Sequence, residues 1–175
     1  MVSKLFPLDF FYRRAELKLP EHHFISGAEV PEPYRDLLVH EQDMTGTLQR
    51  FHQSKLHLQL LSLFKEKGEI YREVTLVKED ESPVEFGAIR IDLTHFPEEA
   101  RAEIEAGYTP LGAILSERKV SFLSRPSRFF AVESDALINK ALRLNGAFRL
   151  FGRVNKLRSP EQNILAEVVE ILPPI

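Results

Sequence analysis

Short segments of period-two alternation, joined by brief turn-rich connections, constrain this chain more than any other feature. Leu56-His57-Leu58-Gln59-Leu60 alternates cleanly, Ile70 to Leu76 follows after Gly68, and Pro83 to Leu93 returns after the charged turn Lys78 to Ser82. Arg128 to Glu133, Phe148 to Leu157 and Ile164 to Leu172 complete the set, the last two joined around Ser159-Pro160. Successive side chains of a strand point to opposite faces, so each segment can bury one of them. Connections this short join antiparallel neighbours, because parallel strands need a long crossover. The expected class is α+β: an antiparallel sheet of about six strands with the helices on one face.

The helices are marked by their ends. Pro33 can open one through about His40, and Asp43 caps a second that places Met44, Leu48 and Phe51 on one side. A third is expected over Thr94 to Ala106, with Glu98 and Glu99 in its first turn and Gly107 as its stop. Thr109-Pro110-Leu111-Gly112 begins a fourth, with Thr109 as cap and Pro110 in the first position. Asp135 caps a fifth through about Leu144. Residues 1 to about 33, punctuated by prolines, read as irregular, and the 175 residues as a single domain.

Arg72 departs from this pattern. It shares a strand face with Ile70, Val74 and Leu76, yet a guanidinium keeps its charge and needs an anion or water. The anion could be a structural carboxylate or a ligand. Arg128 repeats the pattern beside Phe130 and Val132, unless it reaches solvent along its own stem. Glu170 alternates with Ala166, Val168 and Leu172, while Glu167 lies on the other face with Leu165, Val169 and Ile171. Both faces are apolar, so alternation leaves open which glutamate is inside. A structural Arg–Glu pair and a ligand site are equally consistent with these residues. The helix start at Thr109-Pro110 offers backbone N–H groups that suit a carboxylate, although many ordinary helices begin in the same way.

Composition excludes several functions. With no cysteine, thiolate catalysis, disulfides and cysteine-ligated metals are ruled out. The net charge of -3, with basic residues scattered among acids, gives no case for nucleic acid. The six histidines lack metal-ligand spacing, and no phosphate-binding loop, dinucleotide fingerprint or nucleophile elbow is present. No apolar run approaches the roughly 18 residues of a membrane span, and Met1 to Phe11 lacks the features of a signal peptide. A cytoplasmic protein without membrane or nucleic-acid partners is expected, its oligomeric state left open.

The order of several motifs resembles the chorismate pyruvate-lyase family, closest to its divergent archaeal, cyanobacterial and plastid branch. They are Asp43-Met44-Thr45, Tyr71-Arg72-Glu73-Val74, Thr109-Pro110-Leu111-Gly112, Gly152-Arg153 and Glu170-Ile171-Leu172-Pro173-Pro174, spanning about residues 37 to 174. The resemblance implies a six-stranded antiparallel sheet and a buried site under helical flaps. It further implies a cofactor-independent elimination of pyruvate from chorismate, leaving 4-hydroxybenzoate. Arg72 and the Leu111 N–H would hold the ring carboxylate, and Met44, with Thr45 and Gly112 in the same motifs, would line the site. Glu170 would meet the ring oxygen, and Arg128, or alternatively Arg125, the enolpyruvyl carboxylate. One departure is plain: Gly87-Ala88-Ile89 stands where the bacterial enzymes carry an arginine at the position of Ala88, and Arg90 follows two residues later. The same fold serves as the effector-binding domain of some bacterial transcription regulators, so non-catalytic binding of a small aromatic carboxylate is the alternative. Residues 1 to 35, with their prolines, do not accommodate a basic helix-turn-helix.

Overall fold

A computed structural model describes residues 3–175. In chain order the elements are α1 (Leu8–Arg14), β1 (His22–Ile25), α2 (Tyr34–Leu38), α3 (Met44–His52), β2 (Leu56–Glu66), β3 (Glu69–Lys78) and β4 (Pro83–Asp92). They continue with α4 (Glu98–Ala106), α5 (Leu111–Glu117), β5 (Leu123–Glu133), α6 (Ala136–Leu142), β6 (Arg149–Arg158) and β7 (Ile164–Leu172). The architecture is α+β, built on one antiparallel sheet in the order β1-β5-β6-β7-β4-β3-β2.

Seven strands replace the six expected, because His22–Ile25 pairs with Phe129 to Val132 at the edge of the sheet. That segment lies in the stretch read as irregular, which also holds α1. Four residues are too few to show a period, and the pairing comes from β5 rather than from local preference. The β2–β3 hairpin closes through Lys67 and Gly68, both at positive φ (50° and 83°), the geometry that matches the twist of paired strands.

Helices cover both faces of the sheet, not one. α1 and α6 pack on the face carrying Tyr71, Phe86, Ala88, Phe130, Val169 and Ile171. On the opposite face α4 and α5 cover Ile70, Ile89, Ile91, Leu157 and Val168, while α2 and α3 cover Leu76 and Leu172. This explains why β7 is apolar on both sides. Leu165, Ala166, Val168, Val169, Ile171 and Leu172 are all buried.

The second face is not filled evenly. Between its two apolar clusters lies a gap whose floor is the middle of β3, β4, β7 and β6. The strand register fixes what stands there. Arg72, Ile89, Val168 and Asn155 are successive cross-strand partners, as are Val74, Gly87, Glu170 and Arg153. Cross-strand partners share a face, so polar groups of four strands converge under the helices.

Candidate functional site

The gap is a cavity partly open to solvent, with about 640 Å³ of space between atoms, the open solvent at its mouth included. Sheet residues Leu58, Val74, Leu76, Ile89 and Val168 give it an apolar body. Its roof comes from the starts of α3 and α5, which meet there. A methyl group added at Gly112 would stand 3.3 Å from Asp43 Oδ1 and 3.5 Å from Thr45 Oγ1. Asp43 caps α3 through the Gly46 N–H at 2.7 Å, which fixes Met44 and Thr45 at the cavity wall. The α5 start differs from the expected one: Pro110 is the cap, Leu111 the first helical residue, and no side chain caps the end. The Thr109 carbonyl turns instead to Arg72.

Arg72 is 1% exposed. Its Nη2 donates to the Thr109 carbonyl at 3.2 Å, while Nε and Nη1 have no partner among the described residues. Burial draws its pKa down from 12.5 to about 10, because the charged form has lost its water and gained no counter-ion. Among the described residues, Arg72 is the one cationic side chain that lines the cavity.

Glu170 lines the cavity from β7, and Arg153, fully buried beside it on β6, donates to it through Nε. Arg153 Nη1 donates to the Leu38 and His40 carbonyls, each at 3.1 Å, tying the α2–α3 connection to the sheet. Burial and the nearby Arg153 charge lower the His40 pKa. Glu167 lies on the opposite face with Arg90 and Lys156, so the alternation left open by the sequence resolves with Glu170 at the cavity. Arg90 is spent on that far face, where it also pairs with Glu69. Ala88 packs in the cluster under α1 and α6, so a side chain at position 88 points away from the cavity.

The structure thus brings Arg72, Met44, Thr45, Leu111, Gly112 and Glu170 around one cavity. It does not bring Arg128 or Arg125 there. Both are solvent-exposed and pair across β6 with Val154 and Lys156, on the face away from the cavity. The alternation of Arg128 with Phe130 and Val132 was real, but their face is the one packed under α1 and α6. A register shift between Pro126 and Arg128 keeps both arginines in that phase.

Three polar residues of this region escaped the sequence reading of individual sites. Asn155 Nδ2 donates to Ser124 Oγ at 2.9 Å, leaving Oδ1 without a partner at the cavity. Arg153 holds Glu170. Glu85, on β4, lines the cavity with Oε2 unpartnered, and its burial raises its pKa well above 4.5, with Glu170 adding to the rise. The signal that singled out Arg72 was available for all three: Glu85 alternates with Gly87, Ile89 and Ile91, and Arg153 and Asn155 with Phe151 and Leu157.

The arrangement defines a class first: an α+β fold shared by chorismate lyase and the ligand-binding domains of GntR-family regulators. The solved structures it resembles include PhnF from Mycobacterium smegmatis, at TM-score 0.60 and 9% identity over 94% of this chain and 92% of that one. The possible transcriptional regulator YydK from Bacillus subtilis matches at TM-score 0.53 and 7% identity, covering 95% and 91%. The ligand-binding domain of a putative GntR-family regulator from Bordetella bronchiseptica matches at 0.53 and 14%, covering 67% and 85%. At these identities the likeness is one of fold. No protein-family model and no curated protein matches the sequence. Among the described residues, no helix is long and apolar enough to cross a membrane.

Proposed function

We propose that this chain binds a small carboxylic acid in the buried cavity, as an effector-binding domain does, with Arg72 as the anion anchor. The observation that carries this reading is the state of Arg72, which is buried, charged at neutral pH and unpaired at Nε and Nη1. Native proteins rarely keep a buried charge without a partner. A carboxylate in the cavity would take charge-assisted hydrogen bonds from the free donors. The apolar floor suits an aromatic ring.

Binding without turnover is favoured over elimination by the charge count. Chorismate carries two carboxylates, and among the described residues the cavity offers one unpaired cation, because Arg153 is already engaged by Glu170. The GntR-family domains of the same fold point the same way.

A lyase acting on chorismate is the second reading. The placement of Arg72, Met44, Leu111 and Glu170 around one cavity supports it. There Arg72 and the Leu111 N–H would hold the ring carboxylate, and Glu170 would face the breaking bond. Catalysis would rest on holding the reactive conformer and stabilising the departing charge.

Calorimetry with 4-hydroxybenzoate, run beside incubation with chorismate and product analysis, separates the two. Binding without 4-hydroxybenzoate or pyruvate production is the expected result. Turnover lost in Arg72→Met would favour the lyase. Neither binding nor turnover would end both readings.

A further inference from the structure

The cavity holds a second unmet group, Glu85. Its residue is 5% exposed, its Oε2 has no partner, and its Oε1 lies 3.2 Å from where a Gly87 Cβ would stand. Gly87 is the cross-strand partner of Glu170, so the carboxyls of Glu85 and Glu170 belong to one corner of the cavity. One guanidinium, Arg153, serves that corner, and it bonds to Glu170; its Nη2 has no partner. His40, Tyr34 and Asp43 are titratable side chains of the same region: His40 hydrogen-bonds the Leu37 carbonyl, the Tyr34 hydroxyl donates to the Pro173 carbonyl and Asp43 caps α3. None offers Glu85 a cation.

Arg72 stands at the other end. Its cross-strand partner is Ile89, four residues along β4 from Glu85, or about 13 Å of strand. The cavity therefore carries an unpaired positive group and an unpaired acidic group that rise from separate points along its floor.

Resting on the carboxylate-binding reading above, we infer that the ligand is an extended zwitterion, its carboxylate on Arg72 and an amino group on Glu85. An aromatic or chain-like acid with a terminal ammonium satisfies both ends. It leaves no buried charge uncompensated, whereas a plain monoacid leaves Glu85 without a partner. The acid form of Glu85, favoured by burial in the empty cavity, gives up its proton as the ammonium arrives.

Calorimetry on the whole chain with benzoate, 4-methylbenzoate, 4-hydroxybenzoate and 4-(aminomethyl)benzoate tests this. The aminomethyl compound is expected to bind about 10–100-fold more tightly than 4-methylbenzoate, the gain of a charge-assisted contact. Its binding is expected to release protons, seen as a dependence of the heat on the buffer's ionisation enthalpy. Glu85→Gln, which keeps the shape and removes the charge, is expected to abolish both the preference and the proton release. If benzoate binds but the aminomethyl compound gains nothing, or if Glu85→Gln keeps its advantage, the zwitterion is wrong and the carboxylate reading stands. If no acid binds, both fall.

Discussion

Replacing Arg72 by methionine should make the ligand-free protein more stable, an unusual outcome for a fully buried residue. Burial draws the guanidinium pKa from 12.5 to about 10. At about 1.4 kcal/mol per tenfold change, keeping it charged costs on the order of 3 kcal/mol. The sign follows from the direction. The folded pKa lies below the unfolded one, so the penalty is fully present at neutral pH and eases only above about pH 10. Against it stands one hydrogen bond, Nη2 to the Thr109 carbonyl, contributing about 1 kcal/mol. Methionine fills similar space among Val74, Ile89 and Val168 without a charge. The net expectation is a gain of about 2 kcal/mol, which moves a urea midpoint up by about 1 M. Equilibrium unfolding at pH 7, followed by circular dichroism, reads this directly. The same variant should lose the stabilisation that 4-hydroxybenzoate gives the wild type. A midpoint lowered by 1 M or more would refute the reasoning, since it would mean that the guanidinium is well paired in the folded protein.

Other substitutions probe the same region. Glu85→Gln should be more stable than the wild type at pH 7, with the gap closing as pH falls towards 4.5. A carboxyl whose folded pKa is raised contributes stability that is fully present below its unfolded value and is lost as pH rises through the folded one; urea midpoints across that range give the comparison. Arg153→Met removes the cation beside Glu170 and should cost about 3–5 kcal/mol by denaturant titration. Gly152→Ala should cost about 3 kcal/mol or prevent folding, because its methyl would stand 2.5 Å from the Glu170 carbonyl and 2.5 Å from the Phe130 ring. Its thermal midpoint and expression level are the readouts.

Sequence periodicity carried the sheet well and the site unevenly. Six strands were legible because each alternates, whereas β1 has four residues and owes its form to β5. Helices on both faces could have been inferred from β7, which is apolar on each side, but alternation does not say which layer covers which face. Arg72 was visible as a charge among apolar neighbours. Arg128 gave the same local signal on the opposite face, and only the register across β5, β6 and β7 separates the two. Glu85 and Asn155 were equally readable, yet their meaning depends on lacking partners, a property of three-dimensional packing. Phe51 shows the same limit: it continues the stripe of Met44 and Leu48 but is 42% exposed, at the end of α3.

The central claim is that Arg72 is the anion anchor of a small-molecule cavity. A crystal structure of the protein soaked with 4-hydroxybenzoate tests it most directly. A carboxylate oxygen is expected within about 3 Å of Arg72 Nε or Nη1, with the ring against Val74, Ile89 and Val168. A ligand bound elsewhere, or Arg72 turned onto a carboxylate of the protein itself, would contradict it.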